Sequence, residues 1–106
     1  MKPPIRILLA EDHALVRAGI RSLLASVPDL EVVGEAGDGR EALAIMERIP
    51  ADVVILDITM PGMNGLEAAS RIAESWPATK VIILSMHSNA NVPRSTRYWP
   101  NCTRFA

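Results

Sequence analysis

Three carboxylates and one hydroxyl stand at or just past the ends of apolar runs. Glu11 and Asp12 follow the run at 7–10, Asp57 follows 53–56, and Ser85 follows 81–84. Short unbroken apolar runs read as strands buried on both faces of a sheet. In an open parallel sheet, ligands bind beyond the carboxyl ends of the strands. With the first and third strands adjacent, Glu11, Asp12 and Asp57 converge on one spot. Unit charges about 5 Å apart repel by roughly 3 kcal/mol at an effective dielectric near 20. A hard divalent cation with oxygen ligands, Mg2+ above all, relieves that repulsion. A cation beside a strand-end aspartate suits phosphoryl chemistry. Asp57 is then the carboxylate nucleophile, the cation neutralises developing charge, and Ser85 can donate a hydrogen bond to a phosphoryl oxygen.

The elements that must position these residues are legible in the hydropathy pattern. Ile5–Ala10 is apolar apart from Arg6. Val16, Ile20, Leu23, Leu24 and Val27 recur along one helical face, which Pro28 closes. Leu30–Ala36 reads as a second strand, and Gly37, Asp38 and Gly39 as a turn. Leu43, Met46 and Ile49 mark a second helix ending at Pro50. The third strand is 53–56, followed by a loop over 61–65. Leu66, Ala69, Ile72, Ala73 and Trp76 stripe a third helix stopped by Pro77. The fourth strand is 81–84. Strand–helix alternation with short connections predicts right-handed parallel crossovers, helices on both sheet faces and the strand order 2-1-3-4-5.

Composition narrows the classes. The chain has 106 residues, 49% hydrophobic and 22% charged, with a net charge of −1. That is a folding composition, not a disordered one. No apolar run approaches a membrane span, and the four apolar residues before Glu11 do not make a secretory signal. The near-neutral balance argues against direct nucleic-acid binding. A single cysteine, Cys102, permits no internal disulfide and fits a cytoplasmic location. The balance is uneven, however. All 12 acidic residues lie in 1–88, which nets −4, whereas 89–106 holds Arg94, Arg97 and Arg104 and no acid. The chain is therefore read as two parts, 1–88 and a tail, 89–106, that is left unassigned.

Leu9 to His13, Gly34 to Gly39, Leu56 to Gly65 and Ile83 to Ser85 together resemble the response regulator receiver domain of bacterial two-component signalling. The phrase from His13 to Gly19 resembles the NarL/FixJ-type branch, whose members usually carry a LuxR-type helix-turn-helix output. The resemblance covers about residues 5–88 and implies a flavodoxin-like fold. It implies that Asp57 is the phospho-acceptor and that a sensor histidine kinase is the donor. Asp12 would bind Mg2+ directly and Glu11 through water, with the Thr59 backbone carbonyl as a further ligand. Ser85 would be the switch hydroxyl, and Pro61 and Gly65 would shape the loop into the third helix. Glu11 departs from the commoner aspartate. His13 reads as a first-turn helix residue rather than a ligand. Cys102 reads as an incidental thiol, and Met46, Met60 and Met63 as packing residues.

After Ser88 the receiver pattern is not followed. A family member continues with a helix, a fifth strand ending in lysine, and another helix. The only lysines are Lys2 and Lys80, so no phosphate-binding lysine is found. These 106 residues carry no output domain, and the altered tail suggests a truncated or frame-altered chain, or a vector-derived end. The fold is therefore expected as an incomplete sheet of four strands and three helices, with the fourth strand an exposed edge. Such an edge predicts self-association, or a tail folded back over it. The expected function is a signalling phospho-acceptor rather than an enzyme, at most catalysing its own phosphorylation and dephosphorylation. The alternative is a phosphotransfer-incompetent fragment acting through self-association or partner binding. An aspartyl-nucleophile phosphatase would want a second aspartate where Thr59 stands. A nucleotide or flavin domain would want a glycine-rich loop after the first strand.

Overall fold

The structure, a computed structural model, describes residues 3–58, 60, 62–63, 65–84 and 102–105. Strand β1 (Ile5–Ala10) leads to helix α1 (Ala14–Ala25), β2 (Leu30–Ala36), α2 (Gly39–Arg48), β3 (Val53–Asp57), α3 (Gly65–Ser75), β4 (Lys80–Leu84) and β5 (Cys102–Phe105). The strands form one sheet in the order β2-β1-β3-β4-β5, and every pair is parallel. This is the doubly wound order expected from the sequence, with the four strands and three helices in their expected places.

Alternate residues of each strand feed opposite faces of the sheet. Leu8, Ala10, Val54, Leu56, Val81 and Ile83 pack beneath α2 and α3 with Ala42, Ile45, Met46, Ala68, Ala69 and Ile72. Ile7, Leu9 and Ile55 face the other way, against Ile20 and Leu24 of α1. The helix faces differ in detail from the expected stripes. Leu23 is 72% exposed, and Val27 and Ile49 are also exposed. Only the part of the α1 stripe at Ile20 and Leu24 packs on the sheet. In α2 and α3 the small Ala42, Ala68 and Ala69 take buried positions, because alanine lets a helix backbone approach the sheet closely. Asp38 caps α2 by accepting from the Glu41 amide at 2.8 Å, while Glu41 accepts from the Gly37 amide at 2.6 Å. This reciprocal pair fixes the turn read at Gly37 to Gly39.

One expectation is corrected. The β4 edge is not left bare, because Cys102–Phe105 pairs with it from Val81↔Cys102 to Leu84↔Phe105. Of the two expected outcomes for that edge, self-pairing and a folded-back tail, the backbone takes the second. The fifth strand escapes sequence reading because it is four residues long and shows no clean alternation. Lys80 opens β4, opposite Val53, at the far end from the Asp57↔Leu84 pair. It therefore cannot serve as a lysine at the carboxyl-end site.

Candidate functional site

The carboxyl ends of β1 and β3 bring the acids together because those strands are neighbours, with Ala10 opposite Leu56. Glu11 and Asp57 are fully buried. Asp12 is three-quarters covered, and His13 is largely exposed. One ligand-type atom from each of Glu11, Asp12, His13 and Asp57 lies within 4.8 Å of the others. The expected convergence of the three carboxylates is therefore present, and a fourth residue joins them.

Backbone and side chains lock the acid pair in place. The Glu11 amide donates to the Ala36 carbonyl at 3.0 Å, carrying the β1–β2 ladder one residue past the strand. Arg17, one turn into α1, donates through Nη1 to the Glu11 carbonyl at 3.0 Å and to the Ala36 carbonyl at 3.4 Å. Its Nε lies 3.3 Å from Glu35 Oε1, and Arg21 holds the other Glu35 oxygen at 3.0 Å. One guanidinium thus ties the ends of β1 and β2 to α1. Sequence reading placed Arg17 inside a family phrase and gave it no role. A cation one helical turn after an acid pair is the signal that was present.

Glu11 Oε1 accepts from both the backbone amide and ring Nδ1 of His13, each at 2.9 Å. His13 Nδ1 also lies 3.2 Å from Asp12 Oδ1. The ring does not cap α1, although His13 occupies the N-cap position. It turns back onto the acids, a direction that sequence spacing does not encode. Burial pushes the Glu11 carboxyl above its ordinary value, and the neighbouring Asp57 pushes the same way, against the amide and ring bonds of His13. The Glu11 carboxylate, then Asp12, raises the His13 ring above its ordinary value.

Among the described residues, the buried Glu11 Oε2 makes no hydrogen bond, and the buried Asp12 Oδ1 has only the His13 ring, at 3.2 Å. Buried carboxylate oxygens without partners are expensive. Oxygen donors of this charge fit a hard divalent cation. Glu11, Asp12 and Asp57 are therefore a donor set that Mg2+ would satisfy.

The loop leaving β3 is shaped by contact. The Ile58 amide donates to the Leu84 carbonyl at 3.2 Å and the Gly65 amide to the Ile58 carbonyl at 3.3 Å. A β-carbon on Gly65 would run into the Asp57 carbonyl oxygen, so only glycine admits the start of α3 at this distance. Gly62 has φ +70°, a left-handed conformation suited to glycine. Thr59, Pro61 and Ser85, the other expected site residues, lie outside the described residues.

Similar proteins share this arrangement of elements. The response regulator receiver domain family matches residues 7–96. Over 89 residues the chain is 44% identical to the response regulator UvrY of Escherichia coli K12, covering 84% of this chain and 41% of that protein. Over 86 residues it is 36% identical to the nitrate/nitrite response regulator protein NarL of the same strain, covering 81% and 40%. The chain thus spans about two-fifths of the length of these curated relatives. The response regulator domain of Thermotoga maritima CheB superposes with TM-score 0.83 at 33% identity, covering 97% of this chain and 77% of that one. A LuxR-family two-component response regulator from Aurantimonas sp. SI85-9A1 gives TM-score 0.76 at 37% identity, covering 81% and 61%. Among the described residues, no helix is long and apolar enough to cross a membrane.

Proposed function

This chain belongs to the response regulator receiver domain family, and from that premise we propose that residues 1–88 accept, in the cytoplasm, a phosphoryl group on Asp57 from a sensor histidine kinase. The observation that carries the reading is the buried Glu11 oxygen without a partner beside the buried Asp57. Glu11, Asp12, Asp57 and the Thr59 carbonyl would hold Mg2+, which when bound neutralises charge on the phosphoryl oxygens. An Asp57 carboxylate oxygen attacks phosphorus as the bond to the donor histidine nitrogen breaks. The electron pair of that bond returns to the imidazole. Arg17 keeps the end of β1 in register while this happens. Ser85 directly follows Leu84, the register partner of Asp57, and donates its hydroxyl hydrogen bond to the transferred group. That pull biases a two-state surface, and in the longer relatives' architecture the readout is a transcriptional output domain. The chemistry is self-catalysed acceptance and loss of phosphate by a signalling domain, not turnover of a substrate.

A test is incubation with acetyl phosphate and Mg2+ followed by borohydride reduction, which converts an acyl phosphate to an alcohol. Homoserine at position 57 is expected. Reduction at another carboxylate, or at none, would overturn the assignment.

One observation favours a second reading. The β5 strand, Cys-Thr-Arg-Phe, holds no lysine. A chain that folds and binds Mg2+ yet takes no phosphate would be a phosphotransfer-incompetent receiver fragment, acting through a binding partner or through its own copies.

A further inference from the structure

Helix α1 keeps an outer surface free of charge. Its only charged residues are Arg17 and Arg21, and both turn to one flank, where they hold Glu35 of β2 at 3.3 Å and 3.0 Å. A surface helix normally turns charged and polar residues outward. Helix α1 turns Leu15 and Leu23 outward instead, 86% and 72% exposed, although it has no fully buried residue of its own. Midway between the two leucines stands Gly19. Among the described residues, nothing lies within 4 Å of where its β-carbon would be. Glycine weakens a helix interior relative to alanine, and no contact among the described residues calls for it here. Residues four apart line one ridge of a helix, and each step of four rises about 6 Å. Leu15, Gly19 and Leu23 are therefore a ridge with a gap at its centre and a leucine on either side.

We propose that this ridge is a dimer interface, on which α1 of a second copy of the chain crosses antiparallel at Gly19. The inference goes beyond the phospho-acceptor reading and does not depend on it. The ridge is self-complementary. With the helices antiparallel, a two-fold axis at the gap sets glycine against glycine and each Leu15 against the partner's Leu23, as an isologous contact requires. An unrelated partner would not need two leucines spaced evenly about a glycine. Packing of i±4 ridges holds helix axes about 8–10 Å apart, and glycine at the crossing admits the close end of that range. The antiparallel direction also opposes the two helix dipoles. It keeps apart the acid clusters of the two copies, since Glu11 and Asp12 lie at the amino end of α1. Because Arg17 and Arg21 are drawn aside to Glu35, no charge is buried when the leucines meet.

Sedimentation equilibrium on the full chain tests this, with circular dichroism to establish that each variant is folded. The parent is expected to fit a monomer–dimer equilibrium. Leu23→Glu and Leu15→Lys each place a charge in the contact twice over, and each should raise the dimer dissociation constant about ten-fold or more. Gly19→Leu fills the gap and should do the same, while the open space at position 19 leaves the monomer undisturbed. Mixing the Leu15→Lys and Leu23→Glu chains in equal amounts should restore the dimer, because opposite charges then meet at one contact and leucines at the other. Ile49→Glu is the control, an exposed apolar residue at the end of α2, and should keep the parent's constant. A parent that stays monomeric at every concentration overturns the inference and leaves the ridge to a different protein. A dimer that survives Leu23→Glu or Gly19→Leu, or that Ile49→Glu dissociates equally, also overturns it. Two monomeric variants that fail to pair on mixing overturn the antiparallel crossing.

Discussion

Glu11 carries the electrostatic cost of the site, because it is fully buried with one oxygen unpartnered and Asp57 beside it. Replacing it by glutamine removes one of the clustered charges. Glu11→Gln should therefore stabilise the metal-free protein by roughly 1–3 kcal/mol, and it should weaken Mg2+ binding. Urea unfolding in chelator, paired with a Mg2+ titration, checks both arms. Lower metal-free stability in the variant would show that the charge is already compensated within the protein. Gly65 makes the opposite kind of prediction. Its missing side chain admits the Asp57 carbonyl, so Gly65→Ala should cost about 1–3 kcal/mol by overpacking, read as a lowered urea midpoint. At this scale the carboxylates were legible, because residue type and strand-end position determine where they meet. The ring direction of His13 and the reach of Arg17 were not, since both depend on rotamers that no spacing rule encodes.

Helix α1 meets the sheet through few contacts of its own. None of its residues is fully buried, and Leu15 and Leu23 are exposed. Arg17 makes up part of that deficit by fastening the helix to the carbonyls ending β1 and β2. Arg17→Ala should cost about 1–3 kcal/mol, the range for bonds to a charged group. Amide exchange should accelerate across α1 before it does so in α2 or α3. Uniform acceleration over all three helices would deny Arg17 this local role. Strands were read well here, because β1, β3 and β4 are apolar on both faces and leave little ambiguity. Helix faces were read less well. Apolar counting favoured Leu23 and Ile49 and passed over Ala42 and Ala68, which close packing buries beside the expected Ala69.

The sheet as a whole is closed on one side by a strand that the sequence does not announce. Cys102–Phe105 supplies β4 with backbone partners along its length. A chain ending at residue 101 should expose that edge and associate more strongly than the full chain. Light scattering across a concentration series would detect the larger mass. Equal masses at every concentration would mean that the β4 edge is protected by something other than β5. The rest of the topology was accessible from the alternation of strands and helices, since short parallel crossovers admit few arrangements. The tail resisted reading because four residues carry too little periodicity to separate a strand from a loop.

The central claim is that this sheet end accepts phosphate on Asp57 with the help of a divalent cation. The most direct measurement is intact mass after incubation with acetyl phosphate and Mg2+, beside chelator and Asp57→Asn controls. A single phosphoryl adduct is expected, absent from both controls. No adduct on a folded, Mg2+-binding chain, or an adduct that persists in Asp57→Asn, would contradict it.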